Sequence, residues 1–296
     1  MPALLAIAET LPVIMKNILI ALSLLLFLLN LTPCVSQDKI NVLFIGNSLT
    51  FYHDMPQTVQ NMLNEKELNF QIHQSTFPGI FLGWHLDKTL LENDGESAKF
   101  RVKEEGEITD TEVKLKERLW DIIVLQEGTL RVLIPEARKF IVSEAIQNFK
   151  KKINNPNCRI ILFNTWADKT EYPKDFCYPG VLMDQSLVAD KKYCSGPVEN
   201  LKEHTDLVNA SYYELAEQHK IEVSNNANLF YEVRTKNPEI ELFDDNFHPS
   251  KYGSFLNACE FYQLFSNKNS SDLIYNGTLE KDTAQILKKI ASNNYR

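Results

Sequence analysis

The stretch NVLFIGNSLTFYHDMP, from Asn41 to Pro56, joins an apolar run to a helical pattern through a polar turn. The run from Ile40 to Gly46 is apolar except for Asn41, which is typical of a strand covered on both faces of a sheet. Gly46 permits a tight turn, so Ser48 lies above the end of this strand and close to the start of the next helix. The position favours two roles equally: a nucleophile at the sheet edge, or a cap of the helix, for which serine is a preferred residue.

Runs with strand character alternate with helical patterns along the rest of the chain. The strand-like runs cover residues 40–46, 70–77, 121–128, 159–167 and 221–227. The second of these runs alternates between apolar and polar residues, as expected near a sheet edge. The helical patterns cover residues 55–67, 136–153, 199–220, 249–265 and 280–292. The alternation predicts an α/β fold with a mainly parallel five-stranded sheet and helices on both faces, in a single domain from residue 38 to residue 296.

The N-terminal segment has the pattern of a secretory signal. Lys16 precedes an apolar run at residues 18–31, which is shorter than the ~20 residues that span a bilayer. Ser36 offers a cleavage point, so residues 1–36 are predicted to be removed; Met15 is an alternative start, because no lysine or arginine precedes it. An uncleaved membrane anchor is the other interpretation. We expect export to the periplasm or the extracellular space, without stable membrane insertion after cleavage.

Two stretches interrupt the alternation of strands and helices. Residues 93–118 are rich in charge and carry no long apolar stripe, which predicts a solvated surface excursion. Residues 177–194 are flanked by cysteines and lie between a predicted strand and a predicted helix. At that point of the chain they are placed to overhang the active-site edge of the sheet.

Removal of the leader leaves cysteines that allow three disulfide pairings, and export makes a disulfide plausible. Cys177 and Cys194 flank one loop-like stretch, which favours that pair. Cys158 opens a predicted strand and Cys259 lies within a predicted helix, so both are expected to be buried thiols.

Composition and motifs exclude several classes of function. The net charge of −8 argues against a nucleic-acid partner, whose binding rests on basic surface. The sequence contains no H-E-x-x-H motif and no Cys/His cluster with zinc spacing, so no metal is predicted. It contains no G-x-x-x-x-G-K-[ST] phosphate loop, which argues against nucleotide binding. We therefore expect no cofactor.

A serine nucleophile needs an oriented base, and His248 is the histidine that meets this requirement best. In DDNFHPS, Asp245 precedes His248 in a loop ahead of a predicted helix. The spacing lets the carboxylate accept a hydrogen bond from one ring nitrogen and leaves the other nitrogen free for the serine proton. Asp244 is an alternative orienting residue. A capping aspartate beside an exposed histidine is the alternative interpretation of the motif.

Together, FIGNSLT near the mature N-terminus and DDNFHPSKYG near the C-terminus resemble the first and last sequence blocks of the SGNH (GDSL-type) hydrolases. The resemblance implies a flavodoxin-like three-layer α/β/α sandwich that hydrolyses esters, often acetyl esters on carbohydrates, without a metal. It implies Ser48 as the nucleophile, His248 as the base and Asp245 as the residue that orients the base. Asn47 stands where the family name places aspartate.

The same resemblance implies the donors of an oxyanion hole. The backbone N–H groups of Ser48 and of Gly79, in FPGIFLGWH, would be the first two. The third family block carries asparagine, whereas the matching strand here ends VLQEG, so Gln126 is the predicted third donor. Asn164, after the fourth predicted strand, is the alternative donor. A Gln126 amide that merely satisfies backbone groups is the other interpretation of this residue.

Three aromatic residues, Trp84, His85 and Trp166, follow predicted strand ends, where their rings could pack against sugar faces; core packing is the alternative. With the other features they predict an exported serine esterase, whose substrate is an O-acylated and preferably O-acetylated saccharide or another small ester. One alternative is a lipid-directed esterase or lysophospholipase. Another is a non-catalytic carbohydrate-binding protein on the same scaffold.

Overall fold

The computed structural model describes residues 39–183 and 186–294, so the predicted leader at residues 1–36 lies outside them. In chain order the strands are β1 (Ile40–Gly46), β2 (Phe70–Thr76), β3 (Lys88–Asn93), β4 (Ala98–Val102), β5 (Ile122–Leu125), β6 (Arg159–Leu162), β7 (Cys177–Pro179), β8 (Lys192–Cys194) and β9 (Glu222–Val223). The α-helices are α1 (Ser48–Phe51), α2 (Met55–Glu65), α3 (Trp84–Asp87), α4 (Asp110–Lys116), α5 (Thr129–Leu133), α6 (Pro135–Ala137), α7 (Ser143–Lys152), α8 (Leu201–His219), α9 (Asn226–Lys236), α10 (Lys251–Ser266) and α11 (Lys281–Asn293).

The central sheet has five parallel strands in the order β2–β1–β5–β6–β9. Counted among themselves, these strands follow the 2-1-3-4-5 order of flavodoxin-like, doubly wound sheets. β2 lies at an edge, as its alternating sequence predicted, whereas every residue of β5 is buried. The parallel five-stranded sheet confirms the predicted fold class.

Side chains of β1 point alternately into two hydrophobic cores, one on each face of the sheet. Val42 and Phe44 belong to a core that is shared with α2, α10 and α11. Leu43 and Ile45 belong to a second core, which is shared with α7 and α8. The helices therefore form a layer on each side of the sheet, which gives the predicted α/β/α sandwich.

Two elements differ from the predictions. The strand predicted at residues 221–227 is confined to β9, and its last residues instead open α9. The buried apolar residues of α9 are few: Leu229, Phe230 and Val233 pack into the first core, and Ala227 packs into the second. The helix predicted at residues 136–153 is interrupted by a π-helical segment, Arg138–Val142, before α7.

Both insertions carry secondary structure of their own. β3 and β4 form an antiparallel hairpin within the charged insertion, and α4 follows it. A disulfide bond joins Cys177 in β7 to Cys194 in β8, which confirms the favoured pairing. Cys259 is a buried free thiol and Cys158 is a half-buried one. No helix within residues 39–183 or 186–294 is long and apolar enough to cross a membrane.

Candidate active site

The turn after β1 presents Ser48 as the first residue of α1. Asn47 caps this helix, because its side-chain oxygen accepts a hydrogen bond from the Leu49 N–H at 3.1 Å. The cap is therefore Asn47 and not Ser48, which corrects one of the two roles considered for the serine. Position 46 requires glycine, because a Cβ atom there would lie only 2.5 Å from the amide oxygen of Gln126.

His248 links Ser48 to Asp245 through its two ring nitrogens. Its Nδ1 lies 2.6 Å from Asp245 Oδ2, and its Nε2 lies 2.9 Å from Ser48 Oγ. A carboxylate only accepts hydrogen bonds, so Nδ1 carries the proton and Nε2 is free to accept from the serine hydroxyl. The three predicted catalytic residues thus lie in one hydrogen-bonded chain with the geometry of a serine hydrolase triad.

Asp245 also shapes the loop that carries His248. Its Oδ1 accepts hydrogen bonds from the backbone N–H groups of Phe247 at 2.8 Å and of His248 at 2.7 Å. Burial raises the pKa of the Asp245 carboxyl, but the hydrogen bonds from the His248 ring and from these two N–H groups outweigh burial and lower the pKa below its ordinary value. Asp245 therefore stays ionised at neutral pH with both oxygens engaged.

Asp244, the alternative orienting residue, has a different partner. Its Oδ2 accepts a hydrogen bond from His53 Nε2 at 2.6 Å, which joins the segment after Ser48 to the loop of His248. Tyr52, the neighbour of His53, stacks on the His248 ring with centroids 4.3 Å apart and planes 5° apart. The geometry therefore favours Asp245 over Asp244 as the residue that orients the base.

The backbone N–H groups of Ser48 and Gly79 have no hydrogen-bond partner within the described residues. Both residues line one cavity. Gly79 has a φ of +66°, a conformation that favours glycine. Asn47 Nδ2 donates a hydrogen bond to the Ile80 carbonyl oxygen at 3.0 Å, which ties the Gly79 loop to the Ser48 turn. The site therefore holds the two predicted backbone donors next to the same space.

Gln126 lies beneath the nucleophile turn, is 1% exposed and does not line the cavity. Its Oε1 accepts hydrogen bonds from the Asn47 N–H at 2.8 Å and from the Thr50 hydroxyl at 3.1 Å. These donors fix the amide oxygen toward the turn, and Nε2 is buried without a partner among the described residues. The prediction that Gln126 is a direct oxyanion donor does not fit this geometry, because the residue is buried outside the cavity and its amide oxygen holds the Asn47 N–H and the Thr50 hydroxyl. Asn164 is also buried outside the cavity, with its amide bound to Asn209.

His85 is a buried structural residue, 1% exposed, beneath the end of β1. Its Nε2 lies 3.1 Å from the Gly46 carbonyl oxygen, and its Nδ1 lies 2.7 Å from Thr111 Oγ1. A carbonyl oxygen only accepts, so Nε2 carries the proton, Nδ1 accepts from Thr111, and the Thr111 hydroxyl accepts from Ser75. Burial lowers the pKa of His85 to about 3 and outweighs the Gly46 hydrogen bond. The prediction that His85 contacts substrate is wrong, because the ring is buried outside the cavity.

The two predicted tryptophans also lie outside the cavity lining. Trp166 is 1% exposed, stacks on Phe230 with centroids 4.1 Å apart, and donates its indole N–H to the Phe247 carbonyl at 3.0 Å. It supports the loop of the base from the core, so the prediction of a sugar contact is wrong for this ring. Trp84 is partly buried, with Lys88 Nζ 3.2 Å from its ring centroid, and it does not face the cavity either.

A cavity of about 1120 Å³ opens over Ser48. Both insertions reach it, at Gly95 and Glu96 in the β3–β4 turn and at Phe176 and Tyr178 beside the disulfide. The cysteine-flanked insertion contributes Tyr178 to the cavity wall, in line with its predicted place at the active-site edge of the sheet. The charged insertion contributes Gly95 and Glu96, so it is more than the solvated decoration that its composition suggested. Much of the wall is aromatic, formed by Phe51, Tyr52, Phe81, Phe176, Tyr178 and Phe247.

Arg131 is a cavity residue that the sequence did not point out. It lies on α5, in the stretch GTLRVL, which matches no motif. The available signal is its position shortly after the end of β5, at the edge where ligands bind in such sheets. Within residues 39–183 and 186–294, no group of three or more His, Cys, Asp or Glu side chains is arranged to hold a metal ion.

Comparison with solved structures identifies the class of fold. A DUF4886 family protein from Bacteroides uniformis superposes with a TM-score of 0.64 and 16% identity over 86% of this chain and 94% of that chain. A candidate SGNH hydrolase from Slackia heliotrinireducens gives a TM-score of 0.51 and 15% identity over 77% of this chain and 100% of that chain. The chain therefore has the fold of the SGNH hydrolases, as the resemblance of its sequence blocks implied.

The similarity is confined to three-dimensional structure. An acetyl xylan esterase is matched with a TM-score of 0.46 and 17% identity, over 76% of this chain and 99% of that chain. No family model matches the sequence, and no curated protein sequence matches it. The activity therefore has to be argued from the site itself.

Proposed function

We propose that the protein is an exported serine esterase that hydrolyses O-acyl esters on carbohydrate, with acetyl as the acyl group. The observation that carries the proposal is the hydrogen-bonded chain of Asp245, His248 and Ser48, whose last contact, from Nε2 to Oγ, measures 2.9 Å. This chain lies beyond the carboxyl end of β1, where ligands bind in open parallel sheets. The preference for acetylated carbohydrate and the export rest on the sequence resemblance and the leader.

In the first half of the reaction, Ser48 Oγ attacks the acyl carbon and its proton passes to His248 Nε2. The carbonyl oxygen becomes an oxyanion, which the N–H groups of Ser48 and Gly79 stabilise. One such donor is worth about 3 kcal/mol of barrier in other hydrolases. The bond to the sugar oxygen then breaks, His248 gives its proton to that oxygen, and the alcohol leaves an acyl-serine behind.

In the second half, a water molecule attacks the acyl-serine while His248 accepts one of its protons. The bond between the acyl carbon and Ser48 Oγ breaks, Oγ recovers the proton from His248, and the carboxylic acid is released. Asp245 holds Nδ1–H throughout, so Nε2 remains the nitrogen that exchanges protons.

A lipid-directed esterase is the second candidate, because the cysteine-flanked insertion exposes apolar side chains. Val181, Leu182 and Val188 are 65%, 56% and 65% exposed. An apolar surface of this kind near an aromatic cavity is also what a long acyl chain requires. The length of the preferred acyl group decides between the two candidates.

The test measures acid release by the full chain from O-acetylated oligosaccharides and from aryl esters with acetyl and palmitoyl groups. We expect acetate release by the wild type and by Ser271→Ala, a serine control outside the cavity, and loss of about 10³-fold or more in Ser48→Ala. A strong preference for palmitoyl esters favours the lipid candidate. Equal activity of Ser48→Ala contradicts the assignment of the nucleophile.

A fluorophosphonate probe separates an esterase from a non-catalytic binding protein. We expect one covalent adduct, located at Ser48 by peptide mass, because such probes trap an activated serine. A wild type that hydrolyses no ester and takes up no probe would make the protein a binding module on this scaffold.

A further inference from the structure

Arg131 is a buried cation that shares the cavity of Ser48. Its side chain is 5% exposed, yet the residue lines the cavity wall. Burial of a charged group is costly unless it meets an opposite charge or a full set of hydrogen bonds. The partners of this guanidinium therefore indicate whether its charge is already used within the protein.

The guanidinium is held mainly by aromatic groups. Nη2 donates a hydrogen bond to the Tyr178 hydroxyl at 2.8 Å, and Cζ lies 3.1 Å from the ring centroid of Phe81. Nε is buried without an acceptor among the described residues. Among the described residues, no carboxylate oxygen lies within 4.0 Å of an Arg131 nitrogen. Several of its donors thus have no partner.

The charged groups near Arg131 form no ion pair with it among the described residues. Glu127 is buried with its Oε1 and Oε2 bound to the backbone N–H groups of Gly128 and Leu82. Burial raises the pKa of Glu127 even though Arg131 acts to lower it. Lys88 is also close enough that Arg131, after burial, lowers the pKa of its ammonium. Arg131 therefore has a like charge as one neighbour and an already occupied carboxyl as another.

We propose that Arg131 binds a carboxylate of the substrate, so that the ester cleaved at Ser48 belongs to an acidic molecule. The planar guanidinium matches the geometry of a carboxylate. The proposal rests on the proposed esterase function and adds the class of its substrate. The carboxylate comes either from a uronic acid unit of an acylated saccharide or from the far end of a dicarboxylic acyl group.

The other charged residues of the cavity confine the expected preference for an acidic substrate to the position of Arg131. Glu96, Asp168 and Asp244 also line the cavity, so it does not attract anions as a whole. Burial raises the pKa of the Asp168 carboxyl to about 6 and outweighs the charges of Arg234 and Lys174, so Lys174, the other cation of the lining, already has a carboxyl group near it. Selection of an acidic substrate therefore depends on Arg131 itself.

The first experiment compares substrates that differ only in charge. One arm uses an O-acetylated methyl glucuronoside and its carboxamide; the other uses 4-nitrophenyl hemisuccinate and its methyl ester. We expect kcat/KM of the wild type to be about 10- to 100-fold higher for the carboxylate in one arm, the range of a hydrogen bond to a charged group. The arm that shows the preference identifies the source of the carboxylate. Ratios within about threefold of unity in both arms overturn the proposal.

Two variants assign the preference to the guanidinium. In Arg131→Gln the ratio is expected to fall below about threefold. Lys139→Gln, which removes an exposed charge outside the cavity, keeps the wild-type ratio. If Arg131→Gln retains the ratio, or Lys139→Gln abolishes it equally, the guanidinium does not bind the carboxylate and the proposal fails.

A binding measurement tests the proposal even if the Arg131→Gln protein does not fold. It also separates this proposal from the esterase function. Calorimetry with folded Ser48→Ala protein compares glucuronate with glucuronamide, and hemisuccinate with its methyl ester. We expect tighter binding of the acid in at least one pair; equal binding in both pairs overturns the proposal. Aryl acetate hydrolysis by the wild type tests the esterase function alone, so either idea can fail while the other stands.

Discussion

Asp245→Asn separates the two roles of Asp245, because one oxygen holds the loop and the other holds the base. Oδ1 accepts hydrogen bonds from the N–H groups of Phe247 and His248, and asparagine keeps this acceptor. At the position of Oδ2, the variant places an NH₂ group opposite His248 Nδ1, where the wild-type distance is 2.6 Å. The ring then favours the tautomer with its proton on Nε2, which cannot accept the proton of Ser48.

The exposure of Asp245 sets the size of the loss. In a triad with a buried aspartate, the same change lowers kcat about 10⁴-fold. The Asp245 side chain is 48% exposed, so water can replace the lost acceptor in part of the population. We therefore expect kcat to fall about 10²- to 10³-fold, or about 3 to 4 kcal/mol of transition-state stabilisation, with little change in KM.

Aryl acetate hydrolysis measures kcat, and thermal unfolding reports whether the loop remains intact. Asp245→Ala removes both oxygens, so we expect it to lose activity and also about 1 to 3 kcal/mol of stability. Asp244→Asn, which alters the contact to His53, is the matched control and should lower kcat less than about tenfold. An Asp245→Asn enzyme with more than about a tenth of wild-type kcat, or a larger loss in Asp244→Asn, would refute Asp245 as the orienting residue.

Two further predictions concern the support of the base and the core. Trp166→Phe removes the indole N–H that donates to the Phe247 carbonyl oxygen. We expect steady-state kinetics to show a kcat about 3- to 10-fold lower at constant KM, and thermal unfolding to show a loss of about 1 to 2 kcal/mol of stability. Burial raises the pKa of Glu260 to about 7 and outweighs the hydrogen bond from Asn225, so the folded chain keeps a proton that the unfolded chain releases near pH 4.5. The contribution of Glu260 to folding stability is therefore full below pH 4.5 and falls by about 3 kcal/mol as the pH rises through 7. Glu260→Gln removes this titration, so we expect the free energy of unfolding, measured with denaturant, to depend less on pH between about pH 5 and 8. An equally steep dependence in Glu260→Gln would count against this account.

The sheet was predictable because its signal is local. β1 lies between two cores, so four successive apolar residues from Val42 to Ile45 must all be buried, and such a run is visible in the sequence. β2 packs at an edge, and its alternation is visible for the same reason. The candidate triad was predictable because His248 and Asp245 lie within one turn, and because the two motifs resemble known sequence blocks.

The polar residues behind the site were not predictable in the same way. His85, Trp166 and Gln126 all follow strand ends, and position alone does not distinguish a side chain that faces the cavity from one that turns beneath it. His85 turns toward the Gly46 carbonyl, and Trp166 turns toward the Phe247 carbonyl. In both cases the side chain is oriented by a backbone carbonyl oxygen from a distant part of the chain. The local sequence carries no signal for the position of that oxygen.

Gln126 illustrates how the same residue type at the same strand end can take a different role. An amide carries a donor and an acceptor, and the interpretation from sequence used the donor. In the folded chain, the acceptor is taken by the Asn47 N–H and the Thr50 hydroxyl, and Gly46 has no side chain because the amide oxygen occupies that space. The donor, Nε2, is buried without a partner among the described residues, and Gln126 does not line the cavity. In the proposed reaction, the oxyanion is therefore assigned to the backbone donors of Ser48 and Gly79, and Gln126 is assigned the role of fixing the turn that presents the first of them.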